Sequence, residues 1–176
     1  MASRAETVAI NNLVPRGRLL RSMPTVRASI AGAILWAITM GASALFGLTL
    51  NAWETPASVR AVTMLFAVGG FLAFPLALFL ARFLAEGRHA NAAFAAFMVS
   101  LAVVTIASTS LIYALQYRSY YAHSHDDAFT ITWLLQFVFT MLGSLYQFAV
   151  LGLRLFFPIG FAALFVAALW FARYPR

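Results

Sequence analysis

The sequence predicts an all-α protein, a polytopic transmembrane helical bundle. Of its 176 residues, 63% are hydrophobic and only 10% are charged, whereas a soluble domain has about 25% charged residues. The few charges also stand between long apolar runs rather than within them. A water-soluble fold of this size could not bury so much apolar surface, so we expect lipid to surround most of the chain.

Three apolar runs each have the length of one membrane crossing. A transmembrane helix needs about 20 apolar residues to cross a hydrocarbon core of about 30 Å, because its backbone hydrogen bonds must form within the segment. Residues 28–50, 61–81 and 90–115 meet this requirement, and arginines bound them. We therefore predict three crossings in a single transmembrane domain that extends over residues 28–172.

The last apolar region, residues 128–172, is interrupted by a single charge, Arg154. As one straight helix it would be about 67 Å long, which is too long for one crossing. We predict two crossings, over residues 128–150 and 155–172, which brings the total to five. An alternative has four spans, with the segment that begins at residue 128 re-entrant or lying in the membrane interface.

Two residues favour a tight turn at residues 151–154. Gly152 can adopt backbone angles that other residues avoid. Pro158 suits the first turn of a new helix because its missing N–H has no partner there in any case.

The arginines predict the orientation, because cytoplasmic loops of membrane proteins carry an excess of positive charge. We read residues 1–27 as a basic cytoplasmic tail. Five spans then place Arg154 inside and the tail of residues 173–176 outside. Exclusive use of arginine over lysine favours a bacterial inner membrane. The alternative is a mitochondrial inner membrane, since the basic leader has the composition of a presequence.

Small residues recur every four positions on the first two spans. This spacing lets helix backbones approach closely, which is the main attraction between helices in lipid. We therefore predict that these two spans form a tightly packed hairpin, although alanine-rich sequences also produce such stripes by chance. The packing residues are Ser29, Ala33, Ala37 and Gly41 on the first span and Gly69, Ala73, Ala77 and Ala81 on the second.

A stripe of polar residues marks one face of the fourth span. Amide side chains that point at lipid are costly, so we expect this face to look into the bundle, a partner or a wet cavity. The residues predicted to contact this face are Thr105, Ser108 and Thr109 on the third span. The polar face consists of Thr132, Gln136, Thr140, Ser144 and Gln147.

The loop before the fourth span holds a candidate metal site. His123, His125, Asp126 and Asp127 lie within five residues, and imidazoles with carboxylates can bind a divalent ion such as zinc or copper. The alternative is a solvated turn in which Asp127 caps the next helix. No other cofactor is indicated.

Several function classes are disfavoured by the sequence. The charges do not cluster as a nucleic-acid face requires, and no catalytic motif is recognisable. None of the predicted spans has an ionisable residue at its centre, where proton-coupled pumps need one. We therefore predict no enzyme.

Two functional hypotheses remain. The first is a non-enzymatic accessory, assembly or structural subunit that packs against a larger membrane complex. The second is a small transporter or channel component that uses the polar face of the fourth span, as a self-associated oligomer. The expected partners are membrane lipid and other membrane-protein subunits or further copies of the chain, with no nucleic acid.

Overall fold

The computed structural model describes residues 21–51, 55–122 and 126–173. Over these ranges the chain forms α-helices and short connections, with no β-strand. The predicted all-α helical bundle is thereby confirmed. The helices are α1 (Val26–Asn51), α2 (Pro56–Ala85), α3 (Ala90–Tyr121), α4 (Ile131–Gln147) and α5 (Ile159–Arg173).

Four helical segments are long and apolar enough to cross a membrane, as expected of a multi-pass membrane protein. They are α1, α2, α3 and the continuous segment Ile131–Phe156. That segment begins with α4 and continues through a π-helical turn, Phe148–Gly152, and a 3-10 turn, Leu153–Phe156. The 15 residues of α5 extend about 22 Å, less than the roughly 30 Å of a hydrocarbon core.

The break between the last two helices lies at Phe157–Pro158 and not at residues 151–154 as predicted. Gly152 has ordinary helical angles, with φ −76° and ψ −41°. The helix ends at Pro158 because proline has no N–H to continue it. The Pro158 carbonyl accepts the N–H of Ala162 at 3.1 Å, which makes Pro158 the residue that leads into α5.

Local signals explain where the other helices begin. Thr55 caps α2, with Pro56 in the first helical position, by accepting the N–H of Ser58 at 3.3 Å. Thr130 caps α4 by accepting the N–H of Trp133 at 3.1 Å, so the predicted cap, Asp127, is not the residue that acts. Between α2 and α3, Gly87 turns the chain with φ +70°, a conformation that glycine adopts readily.

The core lies where α2 packs between α1 and α3. The closest approach is at Gly69 of α2, where an added Cβ would lie 2.9 Å from Cα of Thr109 on α3. Ser108 ties the same two helices by donating to the Gly69 carbonyl at 2.8 Å. The indole N–H of Trp36 on α1 donates to Thr105 Oγ1 on α3 at 2.9 Å.

The two ends of α5 lie at different levels of the bundle. Its first turn is within the bundle, since Gly160 lies against Met40 and Ser43 of α1. Its last turn reaches the beginning of α3, where Phe171 stacks on Phe97 with ring centroids 4.6 Å apart. The C-terminal end of α5 is therefore at the same end of the bundle as the beginning of α1, which we call the N-terminal end.

This placement differs from the predicted five-span topology. Arg173, expected outside, lines one cleft with Arg82 and Arg88. Arg154, expected inside, lies with Leu48 and Val62 near the opposite end of the bundle. α4 begins at that opposite end and α5 finishes at the N-terminal end, which is the order of helix ends that the four-span alternative predicts.

Candidate functional site

The polar face of α4 turns toward the bundle along most of its length. Ser144 is buried and Gln136 and Thr140 are half-buried, whereas Thr132 and Gln147, near the two ends of the helix, are exposed. The Gln136 side-chain oxygen accepts the backbone N–H of Asp126 at 2.9 Å. Gln147 accepts the hydroxyl of Tyr113 on α3 at 3.1 Å. These bonds hold α4 to the end of α3 and to the connection between them.

The expected partners on α3 are engaged elsewhere. Thr105 accepts the indole N–H of Trp36, Ser108 donates to Gly69, and the Thr109 hydroxyl donates to the Thr105 carbonyl at 2.7 Å. All three bonds join α3 to α1 or α2 or stay within α3. Tyr113, one turn further along α3, meets the polar face instead.

Arg118 of α3 lies over an aromatic ladder on α4. Its guanidinium carbon is 4.8 Å from the ring centroid of Phe137 and 6.0 Å from that of Trp133. Trp133 stacks on Phe137 at 5.6 Å, and Phe129 adjoins Trp133 at 5.7 Å. Within the described residues, Arg118 Nε is buried without a hydrogen-bond partner, and the guanidinium contacts the two rings.

Ser43 of α1 holds the break between the 3-10 turn and α5. Its hydroxyl donates to the Leu155 carbonyl at 2.8 Å and accepts the Gly160 N–H at 3.1 Å. Both backbone groups belong to the segment where the helical hydrogen-bond pattern stops, and in a bilayer such groups need a partner from the protein. Ser43 supplies that partner at a fully buried position.

A cavity of about 240 Å³ lies beside the π-helical turn. Its walls are mostly apolar, with Phe66, Phe148 and Leu155 among them, and three polar groups reach it, from Tyr113, Gln147 and Arg154. Gly152 closes it under the Phe148 ring, where an added Cβ would lie 2.7 Å from Cδ2. π-Helical turns often mark functional positions, and no residue pattern predicts this one.

The two stripes of small residues turn inward but do not face each other throughout. At Gly41 of α1, an added Cβ would lie 3.3 Å from Cβ of Ala67 on α2. Ala33 is also buried, and Ser29 and Ala37 are half-buried. On α2, Gly69 faces α3. The remaining members of that stripe, Ala73, Ala77 and Ala81, are fully buried.

The candidate metal site falls partly outside the described residues. His123 and His125 lie there, while Asp126 and Asp127 are exposed. The Asp127 carbonyl accepts the hydroxyl of Thr130 at 2.9 Å. Among the residues that the structure describes, no group of three or more metal-binding side chains comes together.

An arginine cleft of about 740 Å³ opens at the N-terminal end of the bundle. Four of the described arginines line it, from different parts of the chain: Arg21, Arg82, Arg88 and Arg173. Glu86 is the only acidic residue among its described lining residues. Sequence reasoning missed this cleft because it placed Arg173 at the opposite end, and no local pattern joins these four positions.

Comparisons with protein-family models, with curated proteins and with solved structures found no match.

Proposed function

We propose that this membrane protein is a non-enzymatic accessory, assembly or structural subunit of a larger complex, and that α4 is the helix that meets the partner. Only 11% of the most apolar stretch of Ile131–Phe156 is buried, against 28–44% in α1, α2 and α3. α4 packs chiefly against α3. The peripheral position of α4 is the observation that carries the proposal.

The outward face of α4 has the features of a helix–helix interface. Four large side chains follow one another at i, i+4, i+7 and i+11: Leu135, Phe139, Leu142 and Tyr146. The two most exposed of these four are Phe139 at 70% and Tyr146 at 71%. At the edge of this stripe, Gly143 has no neighbour within 4 Å among the described residues. A glycine without neighbours lets a second helix approach the backbone closely.

The hydrogen bonds of the polar face support this function over transport. The amide oxygens of Gln136 and Gln147 already accept bonds from within the chain. A transport path along α4 would require these groups to face a permeating molecule. The observed bonds instead attach α4 to α3 and to the connection before α4, which leaves its opposite, apolar face for a partner or lipid.

The orientation proposed for the protein has both described ends in the cytoplasm of a bacterial cell, in the inner membrane. Arg21, Arg27, Arg82, Arg88 and Arg173 belong to the N-terminal end of the bundle. An excess of arginine is typical of the cytoplasmic side. A mitochondrial inner membrane, with the same end in the matrix, is the alternative.

Purification in mild detergent tests the proposed function. We expect the unaltered protein to retain a stoichiometric larger partner, identified by mass spectrometry. Gly143→Ile should release that partner because the larger side chain keeps the second helix away. Ala42→Ile, at an exposed position on α1, is the matched control and should retain it.

Photo-cross-linking gives an independent measurement. A benzophenone side chain at Phe139 should form a covalent adduct with the partner, whereas the same group at Leu35, exposed on α1, should not. A homo-oligomer that conducts solute into liposomes, with no second protein, would contradict the proposal and favour the transporter alternative.

A further inference from the structure

Among the described residues that line the arginine cleft, positive charges outnumber negative ones. Arg21 precedes α1, Arg82 lies in the last turn of α2, Arg88 follows the turn at Gly87, and Arg173 ends α5. One carboxylate, Glu86, stands among these four guanidinium groups. Like charges that converge on one cleft repel one another, so an anion bound between them would stabilise the fold.

The beginning of α3 adds to this positive potential. Ala90, the first residue of α3, lines the cleft. The first turn of α3 contains no acidic residue, and its N-cap, His89, makes no side-chain cap hydrogen bond. The first backbone N–H groups of a helix have no partner within it and carry a partial positive charge that favours phosphate.

The position of the cleft favours a lipid over a soluble anion. It lies where α2 and α5 end and α3 begins, which is the level of lipid headgroups for helices that cross a bilayer. Ala85, Ala90 and Ala172 give it apolar walls. Next to the lining residues, the exposed side chains of Met23 and Leu84 offer apolar surface along which acyl chains can lie.

We propose that the arginine cleft binds the phosphate headgroup of an anionic phospholipid, with the guanidinium groups donating hydrogen bonds to phosphate oxygens. Basic pockets between transmembrane helices on the cytoplasmic side are suited to such headgroups. The volume of about 740 Å³ is sufficient for a glycerophosphate group. This inference is independent of the partner proposed for α4.

Native mass spectrometry of the full chain in detergent, titrated with phosphatidylglycerol, tests the site. We expect saturable binding of phosphatidylglycerol and no comparable binding of phosphatidylcholine. The variant Arg88→Gln with Arg173→Gln removes two exposed charges that line the cleft. Its Kd for phosphatidylglycerol should rise at least about tenfold, since each basic residue contributes about a fivefold change in affinity.

The control is Arg27→Gln with Arg60→Gln, which removes the same net charge from exposed positions outside the described lining of the cleft. This variant should keep the original Kd. Equal loss of binding in both double variants would show non-specific attraction and overturn the proposal. Displacement of phosphatidylglycerol by glycerol 3-phosphate at equal concentration would assign the site to a soluble anion and also overturn it.

Discussion

Single side chains satisfy backbone groups where the helical hydrogen-bond pattern of this bundle stops, and Ser43 is the clearest case. The break at Pro158 leaves backbone groups that a membrane cannot hydrate, and one hydroxyl satisfies two of them. A buried hydroxyl that bonds two backbone groups contributes more to the free energy of unfolding than a hydroxyl that bonds one, because its loss leaves both groups without a partner.

Ser43→Ala should therefore destabilise the protein by about 1–3 kcal/mol. Unfolding in mixed micelles with increasing dodecyl sulfate, followed by circular dichroism, measures this difference. Ser119→Ala removes an exposed hydroxyl whose described hydrogen bond is to the Leu115 carbonyl of its own helix, and should leave the midpoint unchanged. Equal midpoints for both variants would show that Ser43 does not hold the break.

Gly69 is the second position where one residue determines the packing. Gly69→Ala places a Cβ against the Cα of Thr109, so α2 and α3 must separate, at a cost of about 1–3 kcal/mol. The same unfolding measurement applies. Gly143→Ala is the matched control, since no atom of the described residues lies within 4 Å of an added Cβ and alanine favours a helix by up to about 1 kcal/mol. A stable Gly69→Ala protein would contradict the close packing.

At the scale of the element, α4 is held by few interactions. Phe137 and Gln147 are ten positions apart on α4. Their partners on α3, Arg118 and Tyr113, are only five positions apart. α4 is therefore inclined to α3 and contacts it at separate points rather than along a continuous seam. A helix attached in this way can be loosened by removal of one contact.

Arg118→Leu should loosen α4, because it removes a cation–π contact of about 0.5–2 kcal/mol. The chain has no native cysteine, so Ser144→Cys provides a single buried thiol whose labelling rate reports detachment. We expect faster labelling when Arg118→Leu is added. Arg60→Leu, on exposed surface of α2, should not change the rate, and an unchanged rate with Arg118→Leu would contradict the docking role.

For the whole molecule, the main result is that the bundle brings its first and last described helical ends together. The thiols of Arg27→Cys and Arg173→Cys should react with an impermeant maleimide from the same side of the membrane. A cysteine at Asp127, in the connection before α4, should react from the other. Labelling of Arg173→Cys and Asp127→Cys from one common side would support five crossings instead.

The helices themselves could be predicted from the sequence because the hydrocarbon core constrains them strongly. The apolar runs that Arg27, Arg60, Arg82 and Arg88 bound have to be helical in order to cross a bilayer, and these runs are helical. On α4, the amide of Gln136 predicts a position turned away from lipid, and this residue is half-buried. Gln147 is exposed and accepts the Tyr113 hydroxyl. These inferences need only local sequence and the thickness of a bilayer.

The path of the last passage could not be predicted in the same way. The charge of Arg154 predicts a loop, but the chain stays helical past it and breaks at Pro158. Whether α5 returns to the first end depends on Ser43, Met40 and Phe97, which are distant in sequence from α5. The arginine cleft follows from that return, so it too required tertiary contacts.

The bond between Ser43 and the break also bears on how the chain is made. Residues 159–173 leave the ribosome after α1, α2 and α3 and are too short to cross a bilayer alone. Their insertion therefore has to follow the assembly of α1, α2 and α3, whose surface receives them. A nascent chain released before residue 159 would lack the Gly160 N–H that the Ser43 hydroxyl accepts, so the hydrogen bond that joins α1 to the first turn of α5 could not form.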